Sequence, residues 1–100
     1  MELNTKTKTI FYIGLSDNDM ENQIFKPEEV IASISEIVEA GTFREGKGLW
    51  KGKRENTVIF ECVDFESHSM LTVEEFKDSM ENEFDQFQVT VERVEVEANL

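Results

Sequence analysis

Two stretches of the chain are apolar on both phases of a two-residue alternation. Residues 7–15 (TKTIFYIGL) set Phe11, Ile13 and Leu15 on one side and Ile10 and Tyr12 on the other. Residues 57–65 (TVIFECVDF) set Val58, Phe60 and Cys62 opposite Ile59, Val63 and Phe65. β-Branched and aromatic residues at this density, apolar front and back, predict strands at the centre of a sheet. Between them Val30, Ile31, Ile34, Ile37 and Val38 recur at helical spacing. Pro27 stands at the first helical position, Glu28 and Glu29 meet the dipole in the first turn, Phe25 is set to staple onto Val30, and Gly41 can supply a left-handed cap. This predicts a helix over 27–40. Residues 42–51 alternate weakly and carry glycines and charges, as an exposed edge strand does, and 52–56 make the turn. Thr72 and Glu75 form a capping box ahead of Val73, Phe76, Met80 and Phe84, with Leu71 stapling onto Phe76, which predicts a second helix over 73–86. In the last strand, 87–96, Val89 and Val91 lie out of phase with Val94 and Val96, and a bulge near Glu92 reconciles them.

The order is βαββαβ. It predicts an α+β, ferredoxin-like fold: one domain over 1–100, a four-stranded antiparallel sheet in the order 4-1-3-2, and two helices on one face. That order requires the first and third strands to be central, and they are the two most apolar. Two helices cover one sheet face, so Ile10, Tyr12 or their opposites need another cover. A homodimer is the expected answer for so short a chain, and a bound ligand or other partner the competing one.

Charge changes the picture. The 100 residues hold 22 Asp and Glu against 10 Lys and Arg, a formal net charge of −12. Half of the cations fall in one segment, as Arg44, Lys47, Lys51, Lys53 and Arg54, threaded with Gly46, Gly48, Gly52 and the lone Trp50. An acidic body repels a phosphate backbone, so direct nucleic-acid binding is not expected. The single Cys62 excludes an internal disulfide and suits a reducing compartment. Ile10 to Leu15 is too short for a signal core or a membrane span, so the expected setting is the cytoplasm, with no membrane partner.

Four clusters could carry chemistry. Arg44, Lys47, Trp50, Lys51 and Arg54 can neutralise an anion and stack on a base, which makes a nucleotide-like ligand chemically sensible, while an edge strand carries lysines as protection against edge pairing in any case. Gly46-Lys47-Gly48 is too short for a phosphate loop. Asp17, Asp19 and Glu21 alternate as in calcium loops, but Asn22 stands where such a loop needs glycine, so a solvated turn is expected and no metal site. His68 and Cys62 do not read as a catalytic pair, because Cys62 belongs to an apolar strand. Acids on the second helix, Glu74, Asp78, Glu81 and Asp85, offer a surface to a basic partner or simply solvate the helix.

The run Tyr12-Ile13-Gly14-Leu15-Ser16-Asp17-Asn18-Asp19, with Glu55-Asn56-Thr57 further on, resembles small uncharacterised proteins of phages, prophages and plasmids of Gram-positive bacteria. These have a YIGLxDxD-like opening, a helix, a glycine-containing hairpin and an ExT-like strand. The likeness covers residues 10–65, and after Asp64 the chain departs from the pattern. It implies a mobile-element setting and no reaction. The sequence-based expectation is therefore a non-enzymatic acidic binding protein, a homodimer without cofactor that blocks a host defence or regulatory protein. Capture of a small nucleotide-like anion at 44–54 is the alternative, and an enzyme ranks third, for want of a base, nucleophile or metal set.

Overall fold

The computed structural model describes residues 4–16, 22–86 and 88–98. Its elements are β1 (Asn4–Gly14), α1 (Pro27–Ser35), β2 (Thr42–Trp50), β3 (Lys53–Val63), α2 (Phe65–His68), α3 (Val73–Glu83) and β4 (Thr90–Ala98). The four strands form one antiparallel sheet in the order β2-β3-β1-β4, the expected order read from the other edge, with β1 and β3 at the centre.

In register, Phe43, Phe60, Phe11 and Val91 make one row across the helix side of the sheet. Phe76 of α3 sits on this row with its ring centroid 4.5 Å from Phe11 and 6.1 Å from Phe60, and Phe65 of α2 packs 5.1 Å from Phe11. Val30 and Ile34 of α1 and Met80 of α3 complete a core in which Cys62 is also buried. Dense ring packing of this kind makes α2, a single turn, part of the core although it has no helical periodicity to announce it.

Several local expectations are corrected. Helix α1 stops at Ser35 instead of running to residue 40. Val38 leaves the helix to bridge Ser69, with the Glu39 amide donating to the His68 carbonyl at 3.0 Å and the Met70 amide to the Ile37 carbonyl at 3.0 Å. Those long-range hydrogen bonds replace the last helical turn, and Gly41, with φ +148, lies beyond the helix instead of capping it. His68 ends α2, a helix outside the two that the sequence pattern predicts. The hairpin turns on Lys51-Gly52 alone, both with positive φ (49 and 79), so residues 53–56 belong to β3 instead of to the turn. Strand β4 pairs with β1 without interruption from Thr90 to Ala98, and no bulge occurs at Glu92. Val94 and Val96 pair with Lys8 and Lys6 and share their face of the sheet, so they need no change of phase. Helix α3 ends at Glu83, and its capping box is present as expected: the Glu75 amide donates to Thr72 Oγ1 at 3.2 Å, and Glu75 Oε1 accepts from the Thr72 amide at 3.0 Å.

The sheet face away from the helices is partly covered by its own side chains. Ile10 is flanked in register by Glu61 and Glu92 and is only 8% exposed. Glu61 pairs with Arg44 and, at 3.7 Å, with Lys8, while the Tyr12 hydroxyl donates to Glu92. Charged groups thus lie over the aliphatic positions at one end of this face. The other end is hollow.

Candidate functional site

The hollow begins with the hairpin turn. Positive φ at both central residues is what a two-residue type I′ turn requires, and Gly52 meets it at no steric cost. The turn fixes the register, so that Trp50 faces Lys53, Gly48 faces Glu55 and Gly46 faces Thr57. On the other side of β3, Thr57 faces Gly14 of β1. Glycines thus flank Thr57 in both neighbouring strands and add no side chains of their own to the space above it. The result is a cavity of about 490 Å³. Tyr12, Gly14, Gly46, Gly48, Glu55 and Thr57 line it from the sheet, Trp50 stands at the hairpin end, and Gln86, Gln88, Thr90 and Glu92 close the side towards β4.

Glu55 is the half-buried charge of this cavity. Its Oε2 accepts from the Ser16 amide at 3.3 Å. Burial pushes its carboxyl above the ordinary range, against the opposing pull of that amide. Among the described residues no lysine or arginine pairs with it. The Tyr12 phenol is also raised, first by its hydrogen bond to Glu92 and then by burial. Lys47 is the one lysine or arginine bordering the cavity among the described residues, but it stands on the other alternation of β2, opposite Asn56, and its Nζ is bonded to Asn56 Oδ1. With Glu55 and Glu92 against one engaged lysine, the cavity is electronegative and suits a ligand with a positive centre. Trp50 and Tyr12 add aromatic faces, and the two glutamines and two threonines add neutral donors and acceptors.

The five hairpin residues expected to act together do not converge. Lys47 borders the cavity through its strand while its side chain turns to Asn56 on the other alternation, and Trp50 lines the cavity. Arg44 shares its sheet face but is engaged with Glu61. Lys51 lies in the turn with Nζ 5.6 Å from the Trp50 ring centroid, and Arg54, opposite Leu49, falls on the other alternation of its strand. Of the acids expected to meet a partner, Glu74 lies 3.5 Å from Arg93, and Asp78 and Asp85 are exposed. Glu81 is tied inward, 2.6 Å from Lys77 and accepting from the Val89 amide at 2.8 Å. His68 lies 3.2 Å from Glu39, and Cys62 is enclosed in the core. Asp17, Asp19 and Glu21 lie outside the described residues, and among those described no three His, Cys, Asp or Glu side chains gather as a metal site requires.

Sequence reasoning missed Glu55, Glu92, Gln86, Gln88 and Thr90 as site residues. A signal for part of the site was present: Tyr12 and Gly14 of the YIGL run and Glu55 and Thr57 of the ExT run, distant in sequence, meet on one wall.

No protein-family model and no curated protein matches the chain. A solved structure described as a phage SAM lyase in the apo state is similar in fold, with a TM-score of 0.67 and 20% sequence identity over 95% of this chain and 86% of that one. The likeness shows a shared α+β fold across nearly the whole length.

Proposed function

We propose that the chain binds S-adenosylmethionine in the sheet-face cavity and cleaves it as a lyase. The observation that carries this reading is the half-buried Glu55 carboxylate, unpaired by any described cation, facing a cavity between aromatic side chains. The fold shared with a phage SAM lyase supports it. The reading keeps the small-ligand alternative drawn from the sequence but changes the charge of the ligand: the cavity favours a cationic centre, where the basic hairpin had pointed to an anion.

S-adenosylmethionine matches the lining group by group. Its sulfonium is drawn to Glu55 and to the faces of Trp50 and Tyr12, its adenine can stack on the indole, and its polar amino-acid end can meet the neutral donors and acceptors of Gln86, Gln88 and Thr90. Breaking a carbon–sulfur bond of the sulfonium leaves the electron pair on sulfur, so the cation departs as a neutral thioether, and neither water nor an oxidant is consumed. Attraction to Glu55 by itself favours the charged substrate over a transition state that is losing that charge, so rate must come from orientation or from proton abstraction. The two routes give different products. If the substrate's own carboxylate displaces the thioether, a lactone forms. If Glu55, made more basic by burial, takes the proton β to sulfur, an alkene forms.

Chromatography of S-adenosylmethionine incubated with the protein tests the proposal. The expected result is multiple-turnover release of the thioether nucleoside, lost in Glu55→Gln. Intact substrate after prolonged incubation with protein that binds it would reduce the reading to sequestration, and absence of binding would overturn it.

A second reading, blockade of a host protein through the acidic surface, draws on the net charge of −12 and the exposed Asp78 and Asp85. It requires a copurifying partner whose binding weakens with salt, and a salt-insensitive complex would contradict it.

A further inference from the structure

We infer that Gly14 sets the charge selectivity of the cavity: lacking a side chain, it lets the Glu55 carboxylate lie against β1 and face the ligand, so that an adenosyl sulfonium is preferred over the neutral thioether of the same skeleton. The inference rests on the proposed S-adenosylmethionine site and names the residue that makes it selective.

A Cβ at residue 14 would overlap the carboxyl carbon of Glu55 and both of its oxygens. Backbone conformation is not the reason for glycine here, since Gly14 is not among the positive-φ glycines, which are Gly41 and Gly52. Space is the reason. Gly14 faces Thr57, and Glu55 lies two residues before Thr57 on the same side of β3, so its side chain reaches the bare backbone diagonally.

The carboxylate is also held in place. It accepts from the Ser16 amide at 3.3 Å, and the carbonyl of that same peptide unit, on Leu15, accepts from the Phe25 amide at 3.0 Å. A bond on the carbonyl side polarises the N–H that points at Glu55. The Leu15 amide in turn donates to the Asn56 carbonyl at 3.0 Å, and Gln86 Nε2 donates to the Ser16 carbonyl at 2.8 Å. Asn56 of β3, Phe25 and the wall residue Gln86 therefore hold the backbone at and on either side of the Leu15–Ser16 peptide, whose N–H meets the carboxylate. A half-buried carboxylate held without a cation is costly unless something positive is brought to it. S-adenosylmethionine and S-adenosylhomocysteine share adenine, ribose, ammonium and carboxylate and differ at the sulfur methyl, so their affinity ratio reports this charge directly.

The experiment measures both affinities by Trp50 fluorescence immediately after mixing, for the wild type, Gly14→Ala and Gly14→Ala/Glu55→Asp. Wild type is expected to prefer the sulfonium by about tenfold or more, near 1.4 kcal/mol. Gly14→Ala should compress that ratio to less than about threefold. The double variant, whose carboxyl is one methylene shorter and clears the new Cβ, should recover most of it, a rescue that a purely structural defect would not show. A Gly14→Ala protein that keeps the full preference would overturn the inference and leave the site reading standing, whereas a wild type that binds neither compound overturns both. Should Gly14→Ala fail to fold, the double variant still decides: preference regained supports the role of Gly14, and preference absent refutes it.

Discussion

Replacing Glu55 by glutamine should move binding and stability in opposite directions. Glutamine keeps the shape and, through its carbonyl oxygen, the hydrogen bond from the Ser16 amide, but removes the charge. For a carboxylate and a sulfonium about 4 Å apart, the Coulomb attraction is about 1 kcal/mol in a water-like medium and about 4 kcal/mol at an effective dielectric constant near 20. Glu55 is half-buried, so a loss of about 1–3 kcal/mol is expected, roughly 5- to 150-fold in affinity for S-adenosylmethionine. Stability follows the proton linkage. Burial raises the Glu55 carboxyl in the folded state above its unfolded value. Its stabilising contribution is therefore fully present below the unfolded pKa and lost as pH rises through the folded one. At neutral pH the ionised side chain is a liability that glutamine relieves, and Glu55→Gln should melt at the same temperature as wild type or roughly 2–4 °C higher. In acid, where wild-type Glu55 is protonated, the difference should vanish. Paired thermal melts at neutral and acidic pH, with calorimetric titration of the ligand, measure both arms. Because Tyr12 and Glu92 also face the cavity, Glu92→Gln serves as the control for the acid limb. A Glu55→Gln protein that binds S-adenosylmethionine as well as wild type, or one clearly destabilised at neutral pH, would refute the reasoning.

Three further outcomes concern the scaffold. Thr72→Ala removes the acceptor for the Glu75 amide and should cost about 1 kcal/mol in urea unfolding, with the midpoint shifted and the slope unchanged. Phe76→Ala empties the centre of the ring cluster with Phe11, Phe60 and Phe65 and should cost about 3–5 kcal/mol, enough to leave a chain of this size largely unfolded when warmed. Gly41→Ala meets both a left-handed φ of +148 and overlap with the Phe60 ring and the Glu61 carbonyl, so it should destabilise by more than Thr72→Ala in the same assay.

The parts of the fold legible in the sequence are those set by local chemistry and by two-sided burial. Apolar residues on both phases of 7–15 and 57–65 placed β1 and β3 at the centre, and Thr72 with Glu75 located the start of α3. The misplaced boundaries have long-range causes. Val38 and Glu39 have helical periodicity yet bond to Ser69 and His68, and no local pattern announces a partner thirty residues away. Phe65 reads as strand but is drawn into the aromatic cluster at the start of α2. The candidate site was legible only in part, because it depends on register. The hairpin drew attention to Trp50 and Lys47, but the charge that gives the cavity its character is Glu55, which earns its position from an empty Cβ in β1 and an amide at Ser16. A basic run in an acidic chain pointed to an anionic ligand, whereas sheet alternation sends Arg54 to the other phase and Glu61 engages Arg44, leaving acids to face the hollow.

The most direct test of the account is a titration of isotope-labelled protein with S-adenosylmethionine followed by amide and indole resonances. The account predicts shifts concentrated at Gly14, Gly46, Gly48, Thr57 and the Trp50 indole, with Asp78 and the rest of the outer face of α3 unmoved. A spectrum that does not change, or one in which the shifts fall on the helices and spare the glycine-lined hollow, would contradict it.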